Sequence, residues 1–204
     1  TSQPNVLRYC LGYRYHMTSG SALTLVLSSL LGLGCSVSEP DANRVIALPF
    51  WVSDEFTPSG YMGDGSGDNV ISMHVDDASC HVRSPQARGA CFRFDYQAPT
   101  TGSVGWGGVY FQAPPNNWGS LPGKRIAHGA RTLRLLAAGA QGGELATFCI
   151  GGLTGMDANG EPYPYADSFK SELSFPLTTE LVEYAVPIPA DADYDRVLGS
   201  FSWT

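Results

Sequence analysis

Six residues between positions 106 and 118 are close enough in the chain to build one ligand surface. They are Trp106, Tyr110, Gln112, Asn116, Asn117 and Trp118, in the run VGWGGVYFQAPPNNWG. Alternate residues of an extended strand share a face, so Trp106, Gly108, Tyr110 and Gln112 point one way, and Val109 and Phe111 the other. An indole and a phenol flanked by amides suit a flat, hydroxyl-bearing ligand. The C–H face of a pyranose stacks on aromatic rings, while Asn and Gln both donate to and accept from hydroxyls. The same rings would serve equally well as sandwich core, where each buries about 150–250 Å². Pro114-Pro115 ends the strand and places Asn116, Asn117 and Trp118 in a loop. Loops carry function disproportionately, but Asn is also an ordinary turn residue.

A second constellation is oxygen-rich. In GDGSGDN, Asp64, Ser66 and Asp68 occupy alternate positions of a glycine-rich turn, a spacing that a hard cation such as Ca²⁺ uses. It is not an EF-hand loop, because Val75 stands where a bidentate Glu is required. Asp157, Asn159 and Glu161 in DANGE form a similar cluster, and a solvated turn accounts for either.

Catalytic signatures are thin. A glycoside hydrolase needs two carboxylates roughly 5–10 Å apart. Asp95, Glu144, Asp167 and Glu172 are available, yet no local pattern pairs them. His128, Arg131 and Arg134 are the nearest approach to a lyase-type grouping, and His74 and His81 are scattered. No Gly-x-Ser-x-Gly, His-Glu-x-x-His or phosphate loop occurs. The residues therefore favour binding over catalysis, with a carbohydrate-active enzyme and a structural or protein-interaction domain as the competing readings.

The elements that must position these residues are short. The chain has 204 residues, with 24 Gly and 14 Pro, enough for one core and too punctuated for long helices. Its formal charge is -7. The first 35 residues hold Arg8 and Arg14 and no acid, so the rest carries 10 basic and 19 acidic residues, a net of -9. Such acidity repels phosphate backbones and argues against nucleic acid.

Runs rich in β-branched and aromatic residues alternate with turn clusters after Pro40, the pattern of an antiparallel all-β sandwich. Nine strands are predicted: Val45–Val52, Val70–Val75, Cys91–Gln97, Val104–Ala113, Arg131–Ala138, Glu144–Gly151, Ser171–Phe175, Leu181–Ile188 and Val197–Trp203. Pro187 and Pro189 assign the eighth to a sheet edge.

Residues 1–35 read as a leader and 36–204 as a single domain. Ser21–Leu33 is an uncharged apolar run of 13, too short for a span of about 20 and proportioned like a signal h-region. A buried core helix is the competing reading of this run, and Met17 offers an alternative start. Of the five cysteines, Cys80 and Cys91 bracket a polar segment and are predicted to close a disulfide loop worth about 2.5–3 kcal/mol. Cys149, among apolar neighbours, reads as a buried thiol.

Two resemblances follow from these residues. Ser21–Leu33 followed by Gly34-Cys35 resembles a bacterial lipoprotein signal, although Gly32 stands where Leu is usual. This implies an exported chain held at the outer membrane or cell surface by a lipid on Cys35, with Ser36 compatible with outer-membrane sorting. The order CFRFDY, WGGVYFQAPPNNWG, GARTLRLLAAGAQGGELATFCIGG, YADSF, LTTELVEYAVPI and LGSFSW, over residues 91–203, resembles carbohydrate-binding-module-like jelly rolls of the galactose-binding type. It implies two antiparallel sheets, a glycan bound on the concave sheet or in end loops, and frequently a structural Ca²⁺.

Overall fold

The computed structural model describes residues 5–10, 44–66, 70–75 and 89–204, the first stretch as backbone. Cys35, Asp68, Cys80 and the Ser21–Leu33 run lie outside the described residues. Fourteen strands follow in chain order: β1 Asn5–Cys10, β2 Val45–Ile46, β3 Thr57–Gly63, β4 Ile71–Val75, β5 Cys91–Tyr96, β6 Gly107–Gln112 and β7 Arg125–Ile126, then β8 Thr132–Gly139, β9 Leu145–Gly151, β10 Thr154–Met156, β11 Pro162–Ala166, β12 Lys170–Pro176, β13 Val182–Pro187 and β14 Gly199–Trp203. One helical turn, α1 Val52–Glu55, and a 3-10 turn at Asp64–Ser66 complete the described elements.

Two five-stranded antiparallel sheets form the sandwich. Their orders are β13-β8-β1-β5-β4 and β12-β9-β14-β6-β3. The core between them is set by period-two alternation: Phe92 and Phe94 of β5, Leu135 and Ala137 of β8, and Val186 of β13 come from the first sheet. Val109 and Phe111 of β6, Phe148 and Ile150 of β9, and Phe201 and Trp203 of β14 come from the second. Rings interlock across the layer, with Phe92 edge-on to Phe111 at 5.2 Å and Phe94 tilted on Trp203 at 5.1 Å. Burying side chains of this size contributes about 1.5–3 kcal/mol each, which makes this layer the main source of stability.

The predicted antiparallel two-sheet sandwich is the observed architecture, with differences in detail. The predicted strand Val45–Val52 is broken: only Val45–Ile46 pairs, in parallel with β7, and the chain then turns into α1. Trp51 is half-buried and Val52 enters the core, so tertiary packing rather than β-propensity sets this stretch. Strand β3, TPSGYMG, is not among the nine predicted strands. It is tolerated as a strand because it lies at a sheet edge, with a register shift between Pro58 and Gly60. β13 is an edge strand, as its prolines require.

Asn5–Cys10, upstream of the Ser21–Leu33 run, is the middle strand of the first sheet. It pairs with β5 from Asn5↔Tyr96 to Cys10↔Cys91, and with β8 from Leu7↔Gly139 to Cys10↔Leu136.

Candidate functional site

Strand β6 carries Tyr110 and Gln112, two of the six residues expected at the ligand surface, and all six of its positions are buried. Val109 and Phe111 face the main core. Tyr110 faces the opposite side, as alternation requires, but enters a second small cluster with Leu153 and Leu198, packed by Met62, Trp118 and Tyr165. Its ring meets Trp118 edge-on at 6.2 Å, its hydroxyl donates to the Gly151 carbonyl at 3.2 Å, and burial raises its pKa. The outer face of this sheet is thus covered at Tyr110 rather than open to ligand.

Gln112 and Asn117 are interior braces. Gln112 is fully buried; it accepts from the Ser59 hydroxyl at 3.0 Å and donates to the Asn117 carbonyl at 3.2 Å. Asn117 is 2% exposed and satisfies four backbone groups. Its Nδ2 donates to the carbonyls of Ala113 and Leu121, and its Oδ1 accepts from the amides of Gly119 and Leu121. These bonds fold the loop back over the end of β6. Asn116 is exposed in the left-handed region at φ 59, with its amide bound to Ser59 Oγ, and Trp118 is half-buried.

Trp106 stands apart from this group. It precedes β6, is 45% exposed, and lies on Gly63 at the end of β3. Gly63 has φ 60, and a Cβ there would stand 2.8 Å from the indole Cδ2 and Cε3, so only glycine lets the ring sit this close. The Trp106 carbonyl accepts the Asp64 amide at 2.8 Å. The Asp64 carboxylate then fixes the loop leading to Trp106: Oδ2 accepts from the hydroxyls of Tyr96 at 2.7 Å and Ser103 at 2.6 Å, and Oδ1 from the Val104 amide at 2.7 Å. These donors, Ser103 first, lower the Asp64 pKa, while burial and the carboxylate push Tyr96 up to about 12.

The two carboxylate oxygens of Asp64 therefore face hydrogen-bond donors, the reverse of the polarity a cation needs. Ser66 donates to the Gly63 carbonyl at 2.8 Å. Asp157 is used in the same manner, with Oδ1 accepting the amides of Asn159 and Glu161. Among the described residues, no cluster of three or more His, Cys, Asp or Glu is placed to hold a metal.

The carboxylates available for catalysis are engaged separately. Asp95 pairs with Arg93 at 3.0 Å and approaches His74 at 3.5 Å; Glu172 pairs with Lys170 at 2.8 Å; Glu144 accepts the Gln141 amide. Asp167 accepts the amides of Leu153, Leu198 and Gly199, and burial raises its pKa to about 6. Its three donors are backbone, and it joins the β9–β10 turn to the start of β14. Cys149 is buried among Tyr110 and its neighbours, and burial raises its thiol pKa, which suits a packing residue rather than a nucleophile. Cys91 is buried against Leu136 and Leu181.

Sequence reasoning missed Gly63, Tyr96 and Ser103. The signal for Gly63 was present in its glycine-rich context, but its partner Trp106 lies 43 positions away. No protein-family model, curated protein or solved structure matches the chain.

Proposed function

We propose that the chain is a non-catalytic carbohydrate-binding β-sandwich that contacts its glycan through Trp106. The observation that carries this reading is the half-exposed indole held on Gly63, with Val104 beside it 62% exposed and the exposed Ser103 and Ser66 nearby in the fold. A braced aromatic ring with little freedom left to lose is what stacking on a pyranose requires. The binding surface is narrower than the one drawn from sequence, because Tyr110, Gln112 and Asn117 support the fold from inside.

The test is a glycan array followed by titration of the best polysaccharide into wild type and Trp106→Ala. Loss of one stacking contact is expected to weaken binding about tenfold. Absence of binding to every glycan, or an unchanged affinity in Trp106→Ala, overturns the proposal.

A further inference from the structure

Of the strands at the sheet edges, β12 is the one left as a regular template for a further strand. β3 carries Pro58 and a register shift, β13 carries Pro187, and β4 runs into residues 76–88, outside the described ones. β12 pairs with β9 without a shift from Lys170↔Gly151 to Pro176↔Leu145, and its single proline is its last residue. Regular edges invite pairing with another chain, which is why proteins blunt them with prolines, bulges and lysines.

The bonds that flank β12 fix which of its backbone groups point outward. The Gly152 amide donates to the Phe169 carbonyl at 2.9 Å, and the Leu177 amide to the Glu144 carbonyl at 2.8 Å. Alternate residues of an antiparallel ladder bond to one neighbour, so Phe169, Ser171, Leu173 and Phe175 bond to β9. Lys170, Glu172 and Ser174 turn their N–H and C=O groups the other way, where no strand pairs with them among the described residues.

The side chains of this edge are also incomplete. Leu173 stands opposite the core residue Phe148 and so takes a core-facing position, yet it is 41% exposed because the sheet ends there. Phe169, on the same side, is only partly buried against the core. On the other side Lys170 and Glu172 are exposed and pair with each other at 2.8 Å. A lysine alone would guard the edge, but a lysine and a glutamate at alternate positions make it complementary to itself.

We propose that β12 pairs in antiparallel fashion with β12 of a second copy of this chain, about a two-fold axis at Ser171. In this register Lys170 of each copy lies opposite Glu172 of the other, and each such pair exchanges both backbone bonds. Two isolated ion pairs become one network of alternating charge. Leu173 of each copy lies opposite Phe169 of the other, which covers the apolar side chains that one copy leaves open. The neighbouring registers fail. An axis at Lys170 or Glu172 opposes like charges, and one at Leu173 sets Lys170 against Pro176, which has no N–H to give. β12 and β3 are opposite edges of one sheet, so the pairing joins two five-stranded sheets and leaves both Trp106 rings at the far ends. It does not depend on the glycan reading.

Sedimentation of the full chain over a range of concentrations tests the pairing, and wild type is expected to form a dimer. Lys170→Glu and Glu172→Lys each set like charges opposite one another at both contacts. Each is expected to weaken the dimer about tenfold with Tm unchanged, since both side chains are half-exposed. Mixed in equal amounts, the two variants restore opposite charges and are expected to dimerise as tightly as wild type, a rescue that misfolding could not produce. Trp106→Ala is expected to dimerise as wild type does. A wild type that stays monomeric at every concentration, its edge left to solvent or to a strand of another protein, overturns the proposal. So does a dimer that the charge reversals leave intact, or one that mixing the variants fails to restore.

Discussion

Trp106 and Gly63 are in direct contact, with the ring lying where a side chain on residue 63 would be: a Cβ built there stands 2.8 Å from the indole carbons and 2.5 Å from the Trp106 carbonyl oxygen. Gly63→Ala must therefore displace the ring, the backbone or both, and must also hold φ 60 with a side chain. The expected cost is about 1–3 kcal/mol of stability. Thermal unfolding measures it, and the displaced indole should change its emission maximum. An unaltered spectrum with wild-type Tm would show that the contact is looser than described.

Asn117 gives a contrasting case. A loop Asn at a glycan surface can be truncated with loss of affinity and little loss of stability. This Asn holds four backbone groups from inside, so Asn117→Ala is expected to cost about 2–4 kcal/mol and to loosen the loop over β6. Denaturant unfolding decides between the roles. A stable variant with weakened glycan binding would return Asn117 to the ligand surface.

Why the strand was legible and its exposure was not follows from what covers it. Alternation in GVYFQ correctly separates Val109 and Phe111 from Tyr110 and Gln112, because pleating is local. The cover over the second face comes from Leu153, Tyr165 and Leu198, residues 43 to 88 positions further along, and no local pattern announces them. The same limit explains Asp64. Its alternation with Ser66 and Asp68 is visible in the sequence, but the Tyr96 and Ser103 hydroxyls that occupy Oδ2 arrive from other segments. Strands such as β5, β8 and β9 were read within a residue or two because their apolar sets are continuous; β3 and the proline-bearing β11 were not, because edge pairing overrides a turn-like composition.

Asp167 should give the protein a pH signature. Its folded pKa, about 6, lies above the ordinary 3.8, chiefly because of burial, with the backbone donors opposing the shift. The folded state therefore binds the proton more tightly than the unfolded state. This stabilisation is fully present below about pH 3.8 and is lost as pH rises through about 6. The carboxyl is only half-buried, so on the order of 1–2 kcal/mol is expected rather than the full value of a two-unit shift. Between pH 5 and 7.5 the stability of Asp167→Asn should improve relative to wild type by about that amount. Carboxyl carbon titration by NMR provides the direct check, and a midpoint below 4 would dispose of the argument.

The last prediction concerns Cys91. Sequence spacing pairs it with Cys80, which lies outside the described residues, but the β1–β5 ladder sets the backbone of Cys10 directly opposite it. Directly opposed residues of an antiparallel pair have Cα atoms about 4.5–5.5 Å apart, inside the range of about 4.4–6.8 Å that a disulfide spans. The full chain, refolded with oxidised glutathione as electron acceptor, is therefore expected to yield a Cys10–Cys91 peptide on non-reducing digestion. Closing so long a loop should add about 2–4 kcal/mol over the reduced form. A chain beginning at Ser36 lacks Cys10 and β1 together, so β5 and β8 lose the strand between them. It should unfold at markedly lower temperature than the full chain even when both are reduced. Recovery of a Cys80–Cys91 peptide from the full chain, with equal Tm for the two reduced proteins, would show that the sandwich is complete without its first strand and that the sequence spacing named the right pair.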